Sequence, residues 1–213
     1  MENRLKEILS SIARDGSLFE EAVLAAKERQ KILAKPTGAL GRLEDISVQI
    51  AGITGKVIND IAKKAIVIMS ADNGVVEEGV ASAPQSVTLS QTINFIRGLT
   101  GVSSIAKHFA IDLLVVDMGV KLPIPDSLYT DTPFEDGSLT KKILNRSIAR
   151  GTNNLSAGPA MTRNQALTAI LEGVACAQAV KICGYDILGV GEMGIGNTTT
   201  SSCVLAALTK SKA

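Results

Sequence analysis

The sequence predicts an α/β protein with a parallel sheet, preceded by a small N-terminal helical subdomain. Apolar segments rich in β-branched residues alternate with segments whose apolar positions have helical spacing. This alternation is typical of parallel strands with connecting helices. The N-terminal part shows helical spacing alone. We therefore expect a helical segment at residues 1–58 and an α/β domain at residues 59–213.

The N-terminal segment is predicted to contain three helices. Residues 3–14 form a short amphipathic pattern, and the tetrapeptide Ser-Leu-Phe-Glu at 17–20 matches a capping box. The capping box opens a second helix that ends near Ala34. A proline and two glycines at 35–41 interrupt the pattern, because proline cannot continue a helical hydrogen-bond ladder. Helical spacing returns at residues 42–52.

The remaining residues are predicted to form four strands and four helices. The strands are expected at 65–69, 112–117, 143–148 and 185–190. The helices are expected at 87–97, 103–109, 197–209 and from the cap Thr162 to Cys183. Continuous apolar runs indicate strands covered on both faces. Residues 120–140 carry three prolines and several polar residues, so a long surface loop is expected there.

Polar and glycine residues follow each predicted strand. They lie at 72–74, 117–119, 151–154 and 191–197. In parallel α/β sheets, ligands bind outside the carboxyl ends of the strands. These residues therefore predict a ligand site at one edge of the sheet, with Asp72, Gly151 and Thr152 among the candidate substrate-binding residues.

The glycine-rich segment at 189–200 comes close to two nucleotide-binding patterns. Its glycines satisfy GxGxxG between a strand and a helix, but a dinucleotide site needs an acidic residue about 20 positions further on. No Asp or Glu follows Glu192. Residues 191–198 also approach a Walker A loop, but Asn197 replaces its lysine. An NAD-dependent oxidoreductase and a triphosphate-hydrolysing enzyme are therefore disfavoured.

A single phosphate fits this segment better than a triphosphate does. Glycines allow backbone amides to point inward, and a helix N-terminus that carries threonines favours an anion. The alternative is an ordinary strand-to-helix turn with Asn197 or Thr198 as N-cap. Glu192 is unfavourable beside an anion unless it binds a ribose, a heterocycle or a proton. Its alternative role is a structural hydrogen bond.

Several motifs occur together in a specific order. They are KPTGALGRLE at 35–44, ADNGV at 71–75, EGV at 78–80, RGLTG at 97–101, PAMT at 159–162 and the glycine-rich segment. In this order, the motifs resemble those of the nicotinate-nucleotide–dimethylbenzimidazole phosphoribosyltransferase family of cobalamin biosynthesis. The resemblance covers essentially the whole chain. It implies a Rossmann-like parallel sheet with helices on both faces, a smaller helical domain and a homodimer.

The resemblance also implies a reaction and a set of contacts. Phosphoribose is transferred from nicotinate mononucleotide to 5,6-dimethylbenzimidazole or a related lower-ligand base, giving α-ribazole 5′-phosphate and nicotinate without a cofactor. The implied phosphate-loop residues are Glu192, Gly194, Ile195, Gly196, Asn197 and Thr198. Gln91 aligns with a base-contacting glutamine, and Ser82 lies one position before Ala83, where the family has a serine. Asn73 replaces the more usual histidine.

Family members are longer than this chain, and their proposed catalytic glutamate lies in their C-terminal part, beyond Ala213. The resemblance therefore implies the N-terminal three-fifths of such an enzyme, with weak or absent turnover. Glu192 is the catalytic candidate that this chain itself carries. A non-catalytic nucleotide- or azole-binding domain remains the alternative.

The composition limits the classes of partner and ligand that are expected. The net charge is +1 and aromatic residues make up 3% of the chain, which disfavours nucleic acid as a partner. One His and three Cys make a zinc site improbable, so no metal is expected. No secretory signal and no membrane span are recognisable, which predicts a cytoplasmic protein. The cysteines are expected to be free thiols, with Cys176 and Cys183 sharing a buried face.

Overall fold

The computed structural model describes residues 1–211, apart from the side chains of residues 14 and 15. Residues 212 and 213 of the predicted α/β domain lie outside this description. The chain forms two compact units, one spanning Glu2–Ile61 and one comprising Met1 and the residues from Ala62 on. The first unit contains the helices α1 (Glu2–Asp15), α2 (Glu20–Ile32) and α3 (Arg42–Thr54).

The first unit has a core of small residues. Ala22, Ala26 and Ala51 are buried, and Val48 and Val57 pack against them. The capping box predicted at 17–20 is wrong, because Phe19 is the N-cap of α2 and no side chain caps the helix. The Phe19 N–H donates instead to the Gly52 carbonyl at 2.8 Å. This backbone bond to α3 fixes the point at which α2 begins.

The second unit is built on a five-stranded parallel sheet. The strands are β1 (Lys64–Ala71), β2 (Ile111–Gly119), β3 (Tyr129–Thr130), β4 (Phe134–Glu135), β5 (Ser138–Leu139), β6 (Ile143–Asn145) and β7 (Ile187–Met193). The helices are α4 (Ser86–Arg97), α5 (Gly101–His108), α6 (Arg163–Ile182) and α7 (Asn197–Thr209), with 3-10 turns at Gly74–Glu78 and Asp126–Leu128. The sheet order is β3-β6-β2-β1-β7, while β4 and β5 form a separate hairpin.

Helices cover both faces of the sheet, as predicted. On one face, Cys176 and Val180 of α6 pack with Val67, Leu114 and Leu144 of the strands. On the other face, Leu89 and Ile93 of α4 pack against Val115 and Ile143. The predicted shared face of Cys176 and Cys183 is confirmed, since both contact the first of these clusters. The fold class is therefore the predicted α/β class.

The prediction of a surface loop at 120–140 agrees with the exposure of most of the segment, but it is wrong where the segment is buried or forms short strands. Val120, Ile124 and Leu139 are buried in the two sheet-face clusters. The Tyr129 hydroxyl donates to the Asp117 carboxylate, which pins β3 to the end of β2. A two-residue turn with left-handed Asp136 and Gly137 closes the β4–β5 hairpin. Asp-Gly is a strong hairpin signal, and the polar composition of the segment obscured it.

Two strand boundaries also differ from the prediction. β6 ends at Asn145, earlier than the predicted 143–148. β7 begins at Ile187 and continues to Met193, into the predicted loop. Gly189 and Gly191 are strand residues that pair with Ile66 and Ile68 of β1. β1 offers partners as far as Ser70, so the pairing continues to that point.

Candidate active site

The strand order reverses at β1, and this reversal creates a crevice. From β1 the chain proceeds to β2 on one side, and it returns through α6 to β7 on the other side of β1. Ligands in open α/β sheets bind outside the carboxyl ends of the two strands at such a switch point. Here those ends are Ala71 of β1 and Met193 of β7. The residues after Met193 form the glycine loop, defined as residues 194–198.

Gly194 brings the glycine loop into close contact with the end of β1. It is buried, and a Cβ atom at this position would overlap the carbonyl oxygen of Ala71. The same Cβ would lie 2.8 Å from Nδ2 of Asn73. The contact leaves no space for a side chain. Glycine is therefore required at position 194 for close packing.

The next residue, Ile195, is held through both of its backbone polar groups. The Ile195 N–H donates to Oγ1 of Thr88 on α4 at 3.1 Å. The Ile195 carbonyl accepts a hydrogen bond from Nδ2 of Asn73 at 3.1 Å. Sequence patterns predicted neither contact, because hydrogen bonds between residues more than 100 positions apart leave no local signature.

The backbone amides of Gly196 and Thr198 in the glycine loop are unpaired in the part of the chain that the structure describes. The Asn197 N–H donates to the Gly194 carbonyl at 3.0 Å, which closes the turn. Within the described residues, the amides of Gly196 and Thr198 have no protein acceptor. They lie at the N-terminus of the 13-residue helix α7, where the helix dipole favours negative charge. This arrangement can bind one phosphate group.

The N-cap of α7 is Gly196, with a left-handed backbone, and no side chain caps the helix. The predicted cap at Asn197 or Thr198 is therefore wrong. The Asn197 amide group is used elsewhere, since its Nδ2 donates to Oε1 of Glu192. A groove of about 310 Å³ lies beside this pair, lined by Glu192, Asn197, Thr198, Ser201, Ser202 and Leu205. The Glu192 carboxylate thus bonds to the glycine loop and is exposed.

Asp72, Gly151 and Thr152 lie together at the end of β1. The Thr152 N–H donates to the Asp72 carbonyl at 3.0 Å, and a Cβ on Gly151 would lie 3.3 Å from Asp72 Cβ. Asp72 is only 1% exposed, and its Oδ2 accepts the Lys121 N–H at 2.7 Å. Oδ1 of Asp72 is buried without a partner. These contacts join the loops that follow β1, β2 and β6.

The other two predicted contacts are less closely tied to the glycine loop. Gln91 is half-buried on α4, one turn after Thr88, and Ser82 is exposed in the segment before α4. Among the described hydrogen bonds, none joins Ser82 or Gln91 to residues 194–198. Their predicted role as base contacts therefore stays a prediction.

The loop after β6 is fastened to the 3-10 turn after β1. Oε1 of Glu78 accepts hydrogen bonds from Asn154 Nδ2 at 2.6 Å and from Ser156 Oγ at 2.7 Å. These bonds, led by that from Ser156, hold the pKa of Glu78 below its usual value. The Gly74 N–H also donates to Thr152 Oγ1 at 3.1 Å. The loops that follow β1 and β6 are thereby fixed to each other.

An apolar cavity of about 240 Å³ lies on the α6 side of the strand ends. Its lining includes Met69, Met118, Met161, Gly119, Ala149 and Ala169. Among the side chains that the structure describes, no three of His, Cys, Asp or Glu are grouped so as to hold a metal ion. None of the described helices combines the length and apolar content that crossing a membrane requires.

Comparison with known proteins identifies the family of this chain. The family model described as Phosphoribosyltransferase matches residues 17–213. The chain therefore belongs to this phosphoribosyltransferase family, and the resemblance seen in the sequence motifs is confirmed.

Individual relatives carry a more specific name. The nicotinate-nucleotide–dimethylbenzimidazole phosphoribosyltransferase of Clostridium perfringens (strain ATCC 13124) is 48% identical over 96% of this chain and 52% of the relative. The protein of the same name from Acetivibrio thermocellus is 46% identical over 93% of this chain and 52% of the relative. The chain thus spans about half the length of these curated relatives.

A solved structure shares the fold. The crystal structure of nicotinate-nucleotide–dimethylbenzimidazole phosphoribosyltransferase from Thermus thermophilus superposes with a TM-score of 0.81 at 36% identity. The match covers 90% of this chain and 54% of that chain. The Rossmann-like fold predicted from the resemblance is therefore confirmed.

Proposed function

We propose that this chain binds nicotinate mononucleotide through its glycine loop and takes part in transferring its phosphoribose to 5,6-dimethylbenzimidazole or a related base. In this reaction an azole nitrogen bonds to the anomeric carbon of the ribose. The bond from that carbon to the nicotinate nitrogen breaks, and nicotinate leaves with the electron pair. The azole loses its N–H proton to a base, and the products are α-ribazole 5′-phosphate and nicotinate.

The unpaired amides of Gly196 and Thr198 carry this proposal. They offer two donors at a helix N-terminus, at the switch point of the sheet. A mononucleotide has one phosphate and needs no lysine of the Walker type, which agrees with Asn197 at that position. The names of the relatives give the substrate class. The 48% identity between this chain and one of those relatives supports assigning the same substrate class to this chain.

Glu192 is the candidate carboxylate within this chain. Its Oε1 is engaged by Asn197, and Oε2 has no described partner. A carboxylate that contacts the phosphate-binding loop lies where it can accept a proton, or a hydrogen bond from a ribose hydroxyl. We propose Gln91 and Ser82 as contacts for the base, and Asp72, Gly151 and Thr152 as residues that shape the substrate site. We also propose that the protein is a cytoplasmic homodimer without nucleic-acid or membrane partners.

A second candidate function is non-catalytic binding of a nucleotide or an azole. The observation that favours it is the hydrogen bond from Asn197 Nδ2 to Oε1 of Glu192, which engages the candidate catalytic carboxylate in a structural contact. The glycine loop would then bind the mononucleotide without turnover.

One experiment separates the two functions. The full chain is incubated with nicotinate mononucleotide and dimethylbenzimidazole, and released nicotinate is measured by chromatography alongside calorimetric binding of the mononucleotide. Release that is lost on heating and in Gly194→Asp, but kept in Gly158→Ala, supports the transferase. Gly158 is a suitable control because a Cβ there meets nothing within 4 Å. Binding without release supports the second function, and absence of both contradicts the proposed site.

A further inference from the structure

We propose that Asn73 and Thr88 are positioning residues that hold the backbone of Ile195, so that the amides of Gly196 and Thr198 point together at the phosphate. This inference rests on the proposed function, because it concerns how the same loop is kept ready for its ligand. Neither side chain needs to touch the substrate. Each acts through the backbone of Ile195, which lies between Gly194 and Gly196.

We call the two side-chain hydrogen bonds to the Ile195 backbone the clamp. Thr88 provides one of them. Its side chain is completely buried, and its Oγ1 accepts the Ile195 N–H at 3.1 Å. Because α4 packs against the sheet through Leu89 and Ile93, the hydroxyl has a fixed position. The bond is partly buried, and an N–H that is shielded from water and left without its acceptor is costly. The bond therefore ties the glycine loop to the rigid core of the unit.

Asn73 provides the other half. Its Nδ2 donates to the Ile195 carbonyl at 3.1 Å. The Asn73 backbone is itself restrained, since its carbonyl accepts a hydrogen bond from Gln85 Nε2 at 3.1 Å. The backbone carbonyl and N–H of Ile195, which belong to successive peptide groups, are thus bonded to the segment that follows β1 and to α4, respectively.

The clamp is needed because of the residues around it. Gly194 and Gly196 flank Ile195, and glycine leaves the backbone more rotational freedom than any other residue. Rotation of the peptide groups on either side of Ile195 would redirect the amides of Gly196 and Thr198. Donors that are already aligned lose less entropy when the ligand binds. Removing the clamp is therefore expected to weaken phosphate binding more than it weakens the fold.

Two threonines of α4 offer a matched pair of variants. Thr92 is as buried as Thr88, but its Oγ1 donates to the Thr88 carbonyl within the helix and does not reach the loop. We expect Thr88→Val to weaken nicotinate mononucleotide binding roughly tenfold, the effect of one lost hydrogen bond with an unsatisfied partner. Thr92→Val is expected to leave affinity within about twofold. Thr88→Ser, which keeps the hydroxyl, is expected to restore binding.

Variants of Asn73 test the other half. Asn73→Asp removes the donor and places a carboxylate opposite the Ile195 carbonyl, so we expect a larger loss than for Thr88→Val. Asn73→His keeps a ring N–H and is expected to retain most of the affinity. Binding is measured by titration calorimetry, and the unfolding free energy of each variant by urea titration.

The outcomes are distinct. Loss of affinity in Thr88→Val and Asn73→Asp, with rescue by Thr88→Ser and little change in Thr92→Val, supports the clamp. Equal affinities of the parent chain, Thr88→Val and Asn73→Asp overturn the clamp and leave the proposed function standing. Equal loss in Thr88→Val and Thr92→Val, in step with unfolding free energy, also overturns it. Absence of binding by the parent chain overturns the proposed function together with the clamp.

Discussion

Two loops of this chain each contain two glycines but differ in construction. The first, which we call the proline-glycine loop, comprises residues 35–41 in the helical unit. Its Gly38 has a φ of +74°, and a Cβ there would meet nothing within 4 Å. The second is the glycine loop, where Gly194 is packed against Ala71. One glycine is needed for backbone conformation and the other for space.

The two loops also differ in what fastens them. In the proline-glycine loop, Oε1 of Glu44 accepts hydrogen bonds from Lys35 Nζ at 2.7 Å and from the Leu40 N–H at 3.1 Å. The glycine loop is held by the neutral side chains of Asn73 and Thr88. These two side chains add no charge of their own beside a bound anion, whereas the Glu192 carboxylate contacts the loop through Asn197. The comparison indicates that fastening, more than glycine content, separates a candidate ligand loop from a structural turn.

The largest expected difference between the loops is in their tolerance of a methyl group. Gly194→Ala is expected to lower the free energy of unfolding by about 3 kcal/mol or more, because backbone must move to accommodate the Cβ. Gly38→Ala is expected to cost only about 1–2 kcal/mol, the strain of a left-handed backbone in open space. Urea unfolding followed by circular dichroism checks both. Similar losses in the two variants would remove the distinction.

A second prediction concerns charge at the glycine loop. Glu192→Gln removes a carboxylate that contacts the loop, so binding of inorganic phosphate is expected to become tighter, on the order of threefold at moderate salt. Transfer of phosphoribose, if Glu192 takes part in it, is expected to fall. Asp131→Asn is the control, since Asp131 directly follows β3 at the opposite edge of the sheet. An unchanged phosphate affinity in Glu192→Gln would place the anion elsewhere.

The smallest expected effect is a pH dependence in the proline-glycine loop. The hydrogen bond from Lys35, and then that from Leu40, hold the pKa of Glu44 below its usual value of 4.5. A lowered pKa means that this stabilisation is present above pH 4.5 and is lost as pH falls through the pKa of the folded state. Thermal unfolding at a series of acidic pH values is expected to show a shallower loss of stability in Glu44→Gln than in the parent.

Glu28→Gln is the matched control for that prediction. Glu28 pairs with Lys31 at 2.6 Å on the exposed surface of α2, where ion pairs contribute little. Its acid profile is expected to follow that of the parent chain. Parallel profiles for all three proteins would show that the bonds of Glu44 do not fasten the loop.

Local patterns predicted much of the fold. Thr162 caps α6 as predicted, because its hydroxyl accepts the Gln165 N–H and the Gln165 side chain accepts the Thr162 N–H. The similar pattern at 17–20 failed, since a backbone bond from Phe19 to Gly52 decided where the helix begins. A tertiary hydrogen bond of this kind has no local signature. The continuation of β7 through Gly191 likewise follows from its pairing with β1.

The site was predictable only in part. Glycines and threonines between a strand and a helix indicated the loop that we propose to bind phosphate. The motif order indicated the family, which the comparisons confirm. The roles of Asn73 and Thr88 could not be predicted, because their contacts with Ile195 arise from folding across more than 100 residues. Asp72 is placed at the strand end as expected, but its nearly complete burial depends on the loops after β2 and β6.

The most direct test of the central claim is a two-dimensional ¹⁵N–¹H titration of the chain with nicotinate mononucleotide. Saturable downfield shifts of the Gly196 and Thr198 amide protons are expected, with the amide protons of Gly38 and Gly41 in the proline-glycine loop unmoved. Saturable binding that leaves the Gly196 and Thr198 amides unchanged would contradict the central claim.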